Sequence, residues 1–131
     1  MQGKQSTKTG TIGIDTSFLI DFLQGDPVAT ELMHKYVRLL RVSELVVYEF
    51  LCGNLSEKHQ ELFLDAIQSF QSLPFNRESA VIGSHLYRGG KKKGNTFGHQ
   101  DCMIAGSYLS HGVSRIITRD RSFVGVDVIS Y

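Results

Sequence analysis

"IGIDTSFLIDFL", residues 12–23, joins two apolar stretches of different period, and Asp15 stands at the join. "TIGI" is strand-like, whereas "TSFLIDFLQG" reads as a helix ending near Gly25, a residue type favoured just past a helix C-terminus. A carboxylate is an odd choice for a core at such a point. Asp15 therefore either caps the helix that follows or does chemistry.

Outward from this stretch, short apolar runs keep alternating with longer amphipathic ones. Asp26 and Pro27 supply an N-cap and a first-turn proline for a helix reaching about Leu40. After "LRVS", the segment "ELVVYEFLCG" places Val46, Val47, Phe50 and Leu51 at helical spacing, and Ser56 opens another helix toward Phe70. "SLPF" reads as a brief edge strand, because Pro74 removes a ladder donor. Asn76 caps a helix that runs into Gly89, Gly90 and Lys91–Lys93 and is expected to fray there. "GHQDCMIAGSYLSHG" predicts a helix over 101–110, with Cys102, Ile104, Ala105 and Leu109 on its buried face and Gly112 as terminator. "RIIT" and "VDVIS" are the last strands. Strands alternating with helices in this way predict an α/β domain with a mainly parallel sheet and helices on both faces.

The chain has 131 residues, 41% of them hydrophobic and 21% charged, which is the make-up of a globular protein rather than a fibrous or disordered one. The expected organisation is a polar N-terminal extension, 1–10, before a single domain, 11–131. No apolar run approaches the roughly 20 residues of a membrane span, and "MQGKQSTKTG" lacks the apolar segment of a secretion signal. The expectation is a cytoplasmic protein with no membrane contact. Cys52 and Cys102 each sit inside an apolar segment, outside any Cys-x-x-Cys or Cys/His cluster, and are predicted to be buried free thiols. The net charge of +1 hides an asymmetry: from Arg88 to Arg121 seven bases face two acids, a net +5. A basic segment of this kind, "RGGKKKG" above all, points to an anionic partner.

In open parallel sheets, sites form at the carboxyl ends of strands. Asp15 ends the first predicted strand and Asp120 follows "RIIT". Asp101 lies near the start of a helix, and Glu49 lies within the helix of "VVYEFLCG". Four carboxylates from four segments are thus predicted to meet at one end of the sheet. Without a cation they would repel one another and raise some of their pKa values, a cost that a divalent ion removes. Hard oxygen ligands favour Mg²⁺ or Mn²⁺ over Zn²⁺. Taken singly, each acid has a plainer role as a helix cap or turn residue, so the joint pattern carries the prediction.

The ordered set "IGIDTSFLID", "VVYEFLCG", "HQDCMIAGSYLSHG" and "RIITRDRSF" resembles the PIN-domain ribonucleases, in particular the small stand-alone toxins of prokaryotic toxin–antitoxin pairs (VapC-like). The resemblance spans Ile12 to Ser130. It implies a three-layer α/β/α sandwich that cuts RNA through metal-activated water, with Asp15, Glu49, Asp101 and Asp120 as the acidic metal site. It also implies supporting hydroxyls at Thr16, Ser17 and Thr118. His99 and Ser122 stand where the family often carries further acids, which thins the ligands for a second metal. His99 is close enough to Asp101 to contact substrate. Lys91, Lys92, Lys93, Arg119 and Arg121 would hold the RNA backbone, with affinity but little sequence choice. His34, His59 and His85 read as surface residues, and His111 as a partner of its helix end.

The resemblance further implies a homodimer inhibited by a small antitoxin. The amphipathic stretches Pro27–Leu40 and Glu57–Phe70 offer surfaces for such partners. A ribonuclease of RNA maturation, and a non-catalytic RNA- or protein-binding relative, stay open. A phosphatase of the haloacid dehalogenase type wants a second Asp two residues after the first, where this chain has Ser17. A phosphoacceptor receiver domain wants an acidic pair at the first strand end and a lysine after the last functional strand, and "GIDTS" and "RIIT" supply neither.

Overall fold

The computed structural model describes residues 10–131, so all but the last residue of the predicted polar extension lies outside the described residues. Among these, five strands and six α-helices alternate: β1 (Ile12–Ile14), α1 (Thr16–Leu23), α2 (Pro27–Tyr36), β2 (Leu40–Ser43), α3 (Glu44–Leu51), α4 (Glu57–Ile67), β3 (Gln71–Leu73), α5 (Arg77–Lys92), α6 (His99–Leu109), β4 (Arg115–Thr118) and β5 (Asp127–Ser130). The strands lie in the order β3-β2-β1-β4-β5 and every pairing is parallel. Right-handed crossovers put α1–α4 on one face and α5 and α6 on the other, which makes three layers. The order reverses between β1 and β4, and their carboxyl ends open on one crevice.

Local chemistry explains most boundaries. Asp26 accepts a hydrogen bond from the Ala29 amide at 2.9 Å and Pro27 opens α2. Ser43 and Ser56 cap α3 and α4. Asn76 and Ser79 bond reciprocally at the start of α5, each side chain accepting from the other's amide. The chain leaves α1 through Gly25 at φ 82°, a conformation other residues adopt only under strain.

Five expectations are corrected. The helix predicted to reach Leu40 ends at Tyr36, and after a 3-10 turn over Val37–Leu39 the segment "LRVS" forms β2. The helix opened by Ser56 stops at Ile67, and α6 begins at His99 instead of 101. The helix α5 does not fray at its Gly-Gly segment. It continues to Lys92, and a Cβ on Gly90 would stand 2.6 Å from the Phe97 ring, so Gly90 gives Phe97 its seat. Cys52 is exposed just past the end of α3, while Cys102 is buried; both are free thiols. The edge strand is found at Gln71–Leu73, and Pro74 follows it.

The core joins Ile12 and Ile14 of β1 to Phe18, Leu40, Val42, Val46, Ile104, Ile116 and Ile117. Helices α5 and α6 approach closely because a Cβ on Gly83 would meet the Cys102 carbonyl oxygen at 2.9 Å, and one on Gly106 would collide with the Ser79 carbonyl oxygen.

Candidate active site at the carboxyl edge of the sheet

Asp15 leaves β1 and caps α1. It is 8% exposed and accepts from the Thr16 amide at 2.8 Å. Its second oxygen accepts from the Thr118 hydroxyl at 2.9 Å and, more weakly, from Ser17 at 3.4 Å. Thr118 ends β4, and its oxygen also accepts from the Asp120 amide at 3.2 Å. One buried hydroxyl therefore ties the first acid to the segment that carries the last. Thr16 donates to Glu49, half-buried on α3, and so ties the first acid's helix to the second acid.

Two of the four acids feel burial and the charge of the others. Burial, with the negative charges of Glu49 and Asp120 adding to it, holds the Asp15 carboxyl above the ordinary Asp range against the opposing bonds from Thr118 and Thr16. Asp101, in the first turn of α6, is raised by partial desolvation and then by Asp15, Glu49 and Asp120. Hydrogen bonds join Asp15 to Thr16, Ser17 and Thr118, Thr16 to Glu49, and Thr118 to the Asp120 amide, while Asp101 is connected to this cluster through charge alone. Among the described residues, no three His, Cys, Asp or Glu side chains stand close enough together to hold a metal ion by themselves. Mg²⁺ is usually held by one or two carboxylates plus waters and substrate phosphates rather than by an all-protein cage. An oxygen-only donor set in which Asp15 and Asp101 are raised by burial first and by neighbouring carboxylates second is one whose cost such an ion would lower.

The predicted substrate residues fall into separate groups. Lys91 and Lys92 end α5, Lys93 caps it, and all three are exposed. Arg119 is ion-paired with Asp21 at 2.7 Å, and Tyr131 donates to the same carboxylate at 2.6 Å. Arg121 is exposed nearby, sharing a surface groove with Arg119, Ser130 and Tyr131. His99 faces α5 and stacks on Tyr87. His34, His59 and His85 are exposed, and His111 lies 3.1 Å from the Pro74 carbonyl oxygen.

Sequence reasoning missed Tyr108. Its ring is fully buried, and its hydroxyl accepts from the Ile14 and Ser43 amides, both at 3.1 Å, while donating to the Ile14 carbonyl. The hydroxyl joins the carboxyl ends of β1 and β2 where their ladder has stopped. Gly13 leaves room for the ring, since a Cβ there would lie 2.7 Å from it. Beside it, Ser107 donates to Ser43 at 2.7 Å. The helical spacing of Tyr108 on α6 marks a core residue, and nothing in that spacing reveals which backbone groups its hydroxyl meets.

The family model of the PIN domain matches residues 12–129, nearly the whole chain. The chain belongs to the PIN domain family. Solved structures agree on the fold. A chain of the VapBC2 complex from Rickettsia felis, bound to a promoter DNA fragment, is 12% identical with a TM-score of 0.80, over 92% of this chain and 98% of that one. A chain of DNA-bound VapBC from Salmonella typhimurium is 18% identical with a TM-score of 0.79, over the same shares. One from FitAcB of Neisseria gonorrhoeae is 20% identical with a TM-score of 0.74, over 92% and 97%. No curated protein matches the chain significantly. Among the described residues no helix is long and apolar enough to cross a membrane.

Proposed function

We propose that this PIN-domain chain is a metal-dependent endoribonuclease that hydrolyses RNA phosphodiester bonds as the toxin of a toxin–antitoxin pair. The observation that carries the proposal is the hydrogen-bonded set of Asp15, Thr118 and the Asp120 amide, with Thr16 on Glu49, at the carboxyl edge of β1 and β4, where the strand order reverses; Asp101 is read as the fourth acid of that edge. Mg²⁺ or Mn²⁺ is the ion these oxygens suit; when bound, it supplies charge stabilisation at the phosphate and a more acidic water.

The chain's own residues divide the remaining work. Thr118 and the Thr16 amide fix the Asp15 carboxylate, and the Thr16 hydroxyl orients Glu49. Asp101 and Asp120 close the edge from α6 and from the loop after β4. Lys91, Lys92, Lys93 and Arg121 attract the backbone, and Arg119, anchored on Asp21, offers its remaining donors in a fixed place. His99 contacts the strand beside Asp101. Unpaired RNA is the expected substrate, because its backbone and bases are accessible.

The structural likeness to chains from VapBC and FitAB complexes supports a toxin role. Val28 on α2, Val37 just after it, and Leu62 and Leu64 on α4 are exposed, and an antitoxin or a second copy of the chain would cover them. The deciding experiment is incubation with total RNA in Mg²⁺ or Mn²⁺, with new 5′ ends mapped and Asp15→Asn protein as control. New ends that vanish with EDTA and with Asp15→Asn are expected. Purified protein that makes none, or an Asp15→Asn variant that cuts equally well, rejects the nuclease.

A further inference from the structure

Tyr87 on α5 and His99 on α6 stack face to face, ring centroids 4.2 Å apart and planes 18° apart. Tyr87 is half-buried, packed on the small cluster of Cys102, Ala105 and Val124, and His99 is exposed. Lys91, one helical turn beyond Tyr87, sets its ammonium 5.9 Å from the Tyr87 ring centroid. A fixed aromatic base, an open flat ring and a cation are thus gathered at the meeting of two helices.

The place of this stack relative to the acids follows from helix geometry. His99 and Asp101 are two residues apart at the start of α6, so they project about 200° apart around it, from Cα atoms about 3 Å apart along the axis. Asp101 faces the acids and His99 faces α5. The stack therefore lies across the start of α6 from Asp101, one helix diameter (~10 Å) away, a span that an RNA strand passing over the exposed helix end would bridge.

We propose that the His99–Tyr87 stack is a ledge for an unpaired nucleobase flanking the scissile phosphate, with Lys91 holding the adjoining backbone phosphate. The proposal rests on the RNA-cleaving reading and adds the means of choosing single strands. An open ring and a nearby cation are the two components by which single-stranded nucleic acid is held without sequence choice. A base already stacked and paired in a duplex has no free face to offer, so the ledge excludes it.

The test uses binding, so that it is separate from cutting. In EDTA, on an Asp15→Asn background, affinity is measured for a short unpaired RNA and for the same RNA with an abasic site moved along it. One abasic position is expected to weaken binding roughly 5- to 150-fold, the range for one stacked base. His99→Ala and Tyr87→Leu are expected to weaken intact RNA by a similar factor and to become insensitive to that abasic position, while His99→Phe restores both. Lys91→Ala is expected to flatten the salt dependence by about one phosphate, and His99→Ala to leave it unchanged. Tyr87→Leu keeps an apolar body against Cys102, and matching melting curves confirm its fold. Variants that bind as the parent does, or the absence of any abasic-sensitive position, overturn the ledge and leave the stack to protein contact. If the abasic signature is present and the unsubstituted chain does not cut RNA, the ledge stands and the nuclease falls.

Discussion

Tyr108→Phe removes a single oxygen from a fully buried ring and leaves three backbone groups without their partner: the amides of Ile14 and Ser43 and the carbonyl of Ile14. Burial pushes the Tyr108 phenol well above its ordinary pKa, so the hydroxyl keeps its proton and its donor role at any working pH. A buried polar group left unsatisfied costs about 1–3 kcal/mol, and three sharing one partner relax in part, so the expected loss is about 2–4 kcal/mol. The ring stays in place, so packing contributes little to that figure. Urea unfolding of both proteins reads it directly: with a slope of about 2 kcal/mol/M, the middle of the usual range, the midpoint should fall by about 1–2 M at an unchanged slope. A loss under about 1 kcal/mol would mean that the strand ends find other partners and that the hydroxyl is not what joins them.

Asp15→Asn should change stability in a pH-dependent way. Because the folded pKa of Asp15 is raised, its ionisation costs the folded state free energy, a cost absent below the unfolded value of about 4 and growing as pH rises through the folded one. In EDTA the variant should gain on the parent between acid and neutral pH, and a difference that stays flat in thermal melts contradicts the buried-charge account. Mg²⁺ or Mn²⁺ should stabilise the parent by about 2.7 kcal/mol at one hundred times Kd, and Asp15→Asn and Asp101→Asn should lose most of that gain. An equal shift in all three proteins would place the ion elsewhere. Gly106→Ala drives a methyl into the Ser79 carbonyl oxygen, so denaturation should show a loss of about 1–3 kcal/mol or more, and a neutral result means the two helices can separate freely.

The candidate acids were legible because parallel strands are apolar runs that stop abruptly, and an acid after such a run stands out. Asp15 after β1 and Asp120 after β4 were visible on that ground, and Asp101 and Glu49 through their place in helices. Strand β2 was not visible. "LRVS" carries Arg41 and Ser43, and its extended form is imposed by pairing with β1 and β3 on either side. The persistence of α5 through Gly89 and Gly90 was hidden too, since propensity disfavours glycine in a helix and only the seat for Phe97 favours it here. Cys52 was misread because its neighbours are apolar, although it falls just past the last turn of α3. The contacts of Tyr108 with β1 and β2, and of Tyr87 with His99, cross between elements far apart in the chain, which periodicity cannot report.

The hydrogen bond from Thr118 to Asp15 spans 103 residues of sequence. Contacts so remote in the chain form only after a long loop has closed, and loop closure is a slow and unfavourable step until other contacts reward it. A growing polypeptide that has not yet made β4 lacks both the hydroxyl that fixes Asp15 and the segment that carries Asp120. On this topology the acidic edge is among the last parts of the molecule to exist. Under the proposed ribonuclease function, synthesis itself would act as a safety catch: a ribosome's own product would stay harmless to the RNA around it until β4 and the segment after it had emerged.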